Sequence, residues 1–101
     1  ICTVANDNAA GQVVISGAKA AIDRAVEIAK AQGIKRAMLL QVSAPFHCSL
    51  MTPAADQLAE HLNSVTMRAA RVPLISNVTA QPVTDPSALR QLLKQQITAP
   101  V

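Results

Sequence analysis

Residues 1–17, Ile1-Cys2-Thr3-Val4-Ala5-Asn6-Asp7-Asn8-Ala9-Ala10-Gly11-Gln12-Val13-Val14-Ile15-Ser16-Gly17, decide the fold class. Residues 1–6 and Gln12–Ile15 are short runs of β type, and Asn6 to Gly11 between them has the Asn, Asp and Gly composition of a turn, so the two runs pair as a hairpin. Ser16-Gly17 punctuates the chain. From Ala18 to Gln32 the period changes: Ile22, Ala25, Val26 and Ala29 recur at i, i+3, i+4 and i+7, the spacing of one apolar helical face. Gly33 stands where a helix-ending glycine belongs. Ala37–Val42 is another short apolar run, expected as a strand, so the first 42 residues read strand, strand, helix, strand, a compact α+β unit.

Outward from that unit the texture changes. Ser43-Ala44-Pro45-Phe46-His47-Cys48-Ser49 is irregular, because the proline forbids simple continuation of a central strand. Thr52-Pro53 is a helix start, an N-cap oxygen followed by proline, with Ala55, Leu58 and Leu62 as the buried stripe of a helix expected to run to about Asn63. Val72–Val78 reads as a short buried strand. Asp85-Pro86 repeats the N-cap device before Leu89, Leu92, Leu93 and Gln96. Helix, strand, helix is an α/β texture, and the change of architecture falls near residue 42, without repeat, low-complexity stretch or linker.

The chain of 101 residues is 50% hydrophobic and 15% charged, a composition for packed structure that excludes intrinsic disorder. Phe46 is the only aromatic residue, so the core must come from Ala, Val, Leu and Ile, which is marginal at this size. Ile1 opens directly onto an apolar stretch, and the chain is expected to begin inside a strand and to be part of something larger. The net charge of +3 is spread thinly, with no basic run longer than Lys35-Arg36. Without dense basic clustering or aromatic platforms, a nucleic-acid partner is not expected. No apolar run reaches the roughly 18 residues of a membrane helix, so no membrane partner is expected either. Cys2 and Cys48 form no CxxC pair and are too few for a disulfide framework or a zinc site, which points to a reducing, cytoplasmic setting.

Chemistry centres on His47, which sits in a loop between a strand and a helix, where reactive groups are commonly displayed. Acting as a base, it needs a nucleophile within hydrogen-bond reach and an acceptor that fixes its other ring nitrogen. Cys48 is a poor nucleophile for it, since neighbours in an extended segment point in opposite directions, and it reads as a buried small hydrophobe. None of the serines at 16, 43, 49, 64, 76 and 87 lies in a Gly-x-Ser-x-Gly elbow, so any serine that His47 activates lies outside this chain. Gly11, Gly17 and Gly33 fit neither a dinucleotide fingerprint nor a P-loop. Asp56, Glu60 and His61 read as the solvated face of a helix rather than a metal site, and Arg68, Arg71 and Lys35-Arg36 as surface charge.

Ala5-Asn6-Asp7-Asn8, then Gly11-Gln12-Val13-Val14-Ile15-Ser16-Gly17, then Val42-Ser43-Ala44-Pro45-Phe46-His47-Cys48 together resemble the malonyl-CoA:acyl carrier protein transacylase family of fatty acid synthesis. The resemblance continues through Pro73-Leu74-Ile75-Ser76-Asn77-Val78 to Gln96 and Ala99-Pro100-Val101, and so covers essentially the whole chain. It implies an α/β (α+β) fold in which residues 1–42 are most of a ferredoxin-like small subdomain. Residues 43–101 would then return into a larger α/β-hydrolase-like catalytic domain.

It further implies a ping-pong transfer of malonyl from coenzyme A to the phosphopantetheine thiol of acyl carrier protein, with no cofactor and no metal. His47 would be the catalytic base, and the Gln96 backbone carbonyl would accept from its other ring nitrogen, as an aspartate does in many hydrolases. Phe46 would favour malonyl over branched groups, and Asn6 and Asn8 would edge the substrate cleft. The family's serine, carboxylate-binding arginine and oxyanion glutamine belong upstream of Ile1, in the remainder of the parent chain, so the isolated chain is expected to be inactive. The rival expectation is a stand-alone α+β binding module in which His47 is structural. A nucleic-acid-binding ferredoxin-like domain is a weaker third.

Overall fold

The computed structural model describes all residues from Ile1 to Val101. In chain order it has β1 (Cys2–Ala9), β2 (Gln12–Gly17), α1 (Lys19–Ala31), a 3-10 turn (Ser49–Met51), α2 (Thr52–Ser64), β3 (Leu74–Ile75), β4 (Pro82–Val83) and α3 (Pro86–Gln95). Helices and short strands mix without an alternating parallel sheet, so the chain is α+β.

The expected hairpin forms, with Cys2 opposite Gly17 and Ala9 opposite Gln12, but its strands run further than composition implied. Asn6 and Asp7 belong to β1 because Val14 and Val13 pair with them across the ladder, which overrides their weak β propensity and shrinks the turn to Ala10-Gly11. Gly11 sits at φ +80°, a conformation that costs a side-chain-bearing residue. Register shifts at Val4/Asn6 and Asp7/Ala9 bend β1. On the other edge of β1, Val101 donates to the Ala5 carbonyl and accepts from the Asp7 N–H, both at 2.8 Å, so the C-terminal residue joins the hairpin as a one-residue bridge. At the far end Gly17 lies against the backbone of Ile1 and Cys2: a Cβ there would collide with the Ile1 carbonyl and come within 2.9 Å of Cys2 Cα.

Helix α1 packs on β2 and ends in a Schellman motif, in which Ile34 N–H donates to Ala29 C=O at 3.0 Å and Gly33 N–H to Lys30 C=O at 3.1 Å, with Gly33 at φ +86°. Its stripe of Ile22, Ala25, Val26 and Ala29 lines an open groove rather than a closed core, and no residue of α1 is buried. Ala37–Val42, expected as a strand, is not one. A strand exists only through a ladder partner, and the sole backbone hydrogen bond within this run is Val42 N–H to Leu40 C=O, local and 3.0 Å long.

The second half follows its sequence signals with two adjustments. Helix α2 begins at Thr52, as proline placement implies, but Met51 is the N-cap and the Thr52 hydroxyl donates back to Ser49 C=O at 2.7 Å, because the 3-10 turn feeds straight into the helix. The buried strand expected over Val72–Val78 contracts to Leu74–Ile75, and both residues are exposed, because the strand pairs only with a two-residue strand that sequence did not reveal, Pro82–Val83, and nothing in the chain covers its faces. Between them Ser76, buried, accepts from Val78 N–H at 3.2 Å and turns the chain. Asp85 caps α3 as expected, accepting from Ala88 N–H at 2.9 Å. Helices α2 and α3 pack on each other, burying Ala55 and Leu89. Arg90 of α3 ends α2 by donating through Nε to Leu62 C=O at 3.2 Å and through Nη2 to Val65 C=O at 2.7 Å.

Only six of the 101 residues are buried, and the radius of gyration is 16.4 Å. A compact domain of this length measures about 13 Å. The elements are therefore well formed but spread over a 50 × 28 × 18 Å body, with Val13, Met38, Leu39, Leu40 and Val72 more than half exposed. No helix is long and apolar enough to cross a membrane.

Candidate active site

The loop before the 3-10 turn carries His47 in a conformation uncommon for any residue but glycine. Its φ of +57° is left-handed, a region costing a non-glycine residue on the order of 1–3 kcal/mol and kept only where surrounding contacts enforce it. Two contacts fix the His47 ring. His47 Nδ1 lies 3.2 Å from the Gln96 carbonyl oxygen and 3.0 Å from that of Ala99, just beyond the end of α3. Carbonyl oxygens only accept, so Nδ1 carries the ring hydrogen and shares it between them, leaving Nε2 as the nitrogen with a free lone pair. This is the arrangement of a base whose tautomer is set from behind, with neutral carbonyls standing where many hydrolases place a carboxylate.

The next residue is held apart from this chemistry. Cys48 is 1% exposed and its Sγ donates to Pro45 C=O at 3.2 Å, so it closes the loop as a buried small side chain. His47 Nε2 makes no hydrogen bond with any serine or cysteine of the chain. The irregular Ser43–Ser49 segment is thus a scaffold that displays one histidine.

His47, Phe46 and Asn6 all line the open groove of ≈ 1470 Å³ between β2, α1 and the 34–47 segment. Phe46 is 46% exposed along it. Asn8 lies further along β1, exposed and outside this lining, so the structure brings Asn6 but not Asn8 to the groove. Gln96 meets the histidine through its backbone alone. Asp56, Glu60 and His61 are exposed on α2, with Asp56 paired to Lys94 at 3.3 Å, which is the solvated face that their spacing implied.

Two participants escaped the sequence reading. The Ala99 carbonyl is the nearer of the two acceptors, and Asn77 Nδ2 donates to the Pro100 carbonyl at 3.1 Å, holding the segment that presents it. A backbone acceptor has no side-chain signature. The available signal was the polar Ser76-Asn77 pair inside an otherwise apolar run, within the stretch that carried the family resemblance.

No family model matches the chain. Among curated proteins it is 49% identical over 96 residues to the malonyl CoA-acyl carrier protein transacylase of Salmonella typhimurium, covering 95% of this chain and 31% of that protein. Among solved structures it superposes on an acyl-carrier-protein-S-malonyltransferase from Bartonella henselae with a TM-score of 0.93 at 50% identity, over 100% of this chain and 32% of the other. A malonyl-transacylase solved in complex with its type II PKS acyl-carrier protein gives the same TM-score, 0.93, at 42% identity, over 100% of this chain and 33% of that one. The chain spans about a third of the length of the relatives it matches. In sequence and in backbone alike, these 101 residues are similar along their whole length to a part of the malonyl CoA-acyl carrier protein transacylases.

Proposed function

We propose that this chain supplies the histidine, and the carbonyls that orient it, to the transfer of a malonyl group from coenzyme A to the phosphopantetheine thiol of an acyl carrier protein. The serine nucleophile lies outside these residues. As serine Oγ bonds to the thioester carbonyl carbon, His47 Nε2 takes its proton; collapse of the tetrahedral adduct breaks the C–S bond, and Nε2 returns the proton to the departing coenzyme A sulfur. The second half-reaction repeats these steps in reverse, with the phosphopantetheine thiol giving its proton to His47 and the serine recovering one. No cofactor is consumed, and carbonyl partners keep a permanent charge away from a base that accepts and releases a proton twice per cycle.

The observation that carries this reading is the pinned tautomer: Nδ1 committed to Gln96 and Ala99, Nε2 uncommitted, on a left-handed residue at the edge of a groove. Likeness to transacylases, one of them solved with its acyl-carrier protein, supports the substrate and partner. The division into a ferredoxin-like part, 1–42, and a catalytic-domain part, 43–101, fits the packing of α1 with β2 and of α2 with α3. A cytoplasmic setting accords with two free thiols, Cys2 and Cys48.

The test is malonyl transfer by the intact protein with His47→Ala, and by the 101-residue chain alone. Loss of transfer in the variant by about 10³-fold or more, and none from the isolated chain, is expected. A stand-alone binding module with a structural His47 predicts instead that the intact variant works as the wild type does.

A further inference from the structure

We propose that Asn77 is a positioning residue for His47, acting through the tail that carries the Ala99 carbonyl; the proposal rests on His47 being the base. The tail leaves α3 through two local bonds, Thr98 and Ala99 N–H to Gln95 C=O at 3.2 and 3.1 Å, which set where Ala99 begins but not where its carbonyl points. That direction is set by Pro100 and Val101. The Ala99–Pro100 peptide has no N–H of its own, since residue 100 is proline, so nothing can hold this plane through a donor. The next plane, Pro100–Val101, is held at both edges: its N–H donates to Ala5 C=O at 2.8 Å, and its carbonyl oxygen accepts from Asn77 Nδ2 at 3.1 Å.

The two anchors come from different parts of the chain. Ala5 lies in β1 beside the Val4/Asn6 register shift and is 2% exposed; Asn77 lies in the β3–β4 turn, immediately after buried Ser76. With both in place the Pro100 plane cannot rotate, proline fixes φ between the two planes, and the Ala99 carbonyl is aimed at His47 Nδ1 at 3.0 Å. Without Asn77 the Pro100 carbonyl edge of the plane is free, and the plane tilts about the Val101 side, which stays tied to β1 through Ala5 C=O and the Asp7 N–H. The nearer acceptor of Nδ1 then drifts, and the ring hydrogen is shared less firmly with Gln96 alone.

The experiment uses the intact protein with Asn77→Ala and with Asn77→Asp, which keeps the shape but replaces the donating NH2 by an acceptor. Three quantities are read: kcat and KM for malonyl transfer to carrier protein, the imidazole ¹⁵N signals of His47, which report the nitrogen carrying the hydrogen, and the melting temperature. Asn77 Nδ2 makes one hydrogen bond, worth about 1 kcal/mol, so melting within about 2–4 °C of wild type is expected. A fall in kcat of about tenfold in both variants, KM changed less than about twofold, and a gain of Nε2–H tautomer are the expected results. Asn77→Ser, which restores a short donor, recovers part of the loss. Unchanged kcat, or a fallen kcat with the His47 signals unmoved, overturns the positioning role. His47→Ala run in parallel separates the two levels: if that variant still transfers malonyl, the reading of His47 as base fails, whatever Asn77 does to the ring.

Discussion

Replacing Gln96 tests whether the histidine is oriented by a side chain or by the main chain. Of Gln96, His47 Nδ1 meets the backbone carbonyl oxygen alone, at 3.2 Å, and that carbonyl is placed by the end of α3: Gln96 N–H donates to Leu92 C=O at 3.0 Å, with Gln96 at φ −64°, ψ −20°. Gln96→Ala leaves all of this in place and gains a few tenths of a kcal/mol in helix propensity, so kcat/KM should stay within about twofold. Gln96→Pro accepts the same φ but removes the N–H to Leu92, crowds that carbonyl and strains Gln95, at a cost of about 3 kcal/mol. If half of that falls on the placement of the acceptor, transfer slows by about tenfold, since 1.4 kcal/mol is one decade. The assay is steady-state malonyl transfer to carrier protein by the intact protein, with thermal melting alongside. An alanine variant as impaired as the proline one would refute the reasoning, because it would put the orienting role in the Gln96 side chain.

Other expectations rest on single contacts. Gly17→Ala drives a Cβ into the Ile1 carbonyl and should cost about 1–3 kcal/mol in denaturant unfolding, more than Gly11→Ala, which meets open space and loses only its left-handed freedom, about 1–2 kcal/mol; equal losses would count against the close approach. Arg90→Met removes both bonds that end α2 and should lower unfolding free energy by about 1–2 kcal/mol, measured as a shift in the urea midpoint, with no change expected if water replaces the guanidinium at Leu62 and Val65. Phe46→Ala opens the groove beside the histidine and should raise the methylmalonyl-to-malonyl ratio of kcat/KM by about tenfold, one methyl group's worth of discrimination; an unchanged ratio removes Phe46 from specificity.

What was legible in the sequence was what local chemistry dictates. The Asp85 cap, the Gly33 helix stop, the buried Cys48 and the looped His47 each derive from a residue type and its immediate neighbours, and each is where its signal placed it. What failed depended on which other segment a run pairs with, not on its own composition. Ala37–Val42 has strand composition but no second strand to pair with, while Pro82–Val83 has poor strand composition and pairs because the turn after Ser76 brings it against Leu74–Ile75. The orienting carbonyls lie 49 and 52 residues from His47, so the resemblance alone could point to Gln96, and nothing pointed to Ala99.

The unpaired Ala37–Val42 run has a consequence for the chain on its own. Apart from the local Val42 N–H to Leu40 C=O bond, its N–H and C=O groups are free and are flanked by Met38, Leu39, Leu40 and Val42, all more than half exposed, with no charge or proline among them to blunt the edge. Such a row is an adhesive template: two copies can satisfy each other's backbone there, and a third can add to the second. Clumping of the isolated chain would therefore start at this edge and rise steeply with concentration, and one lysine at Leu39 would do more to keep it dispersed than the same change anywhere on α2.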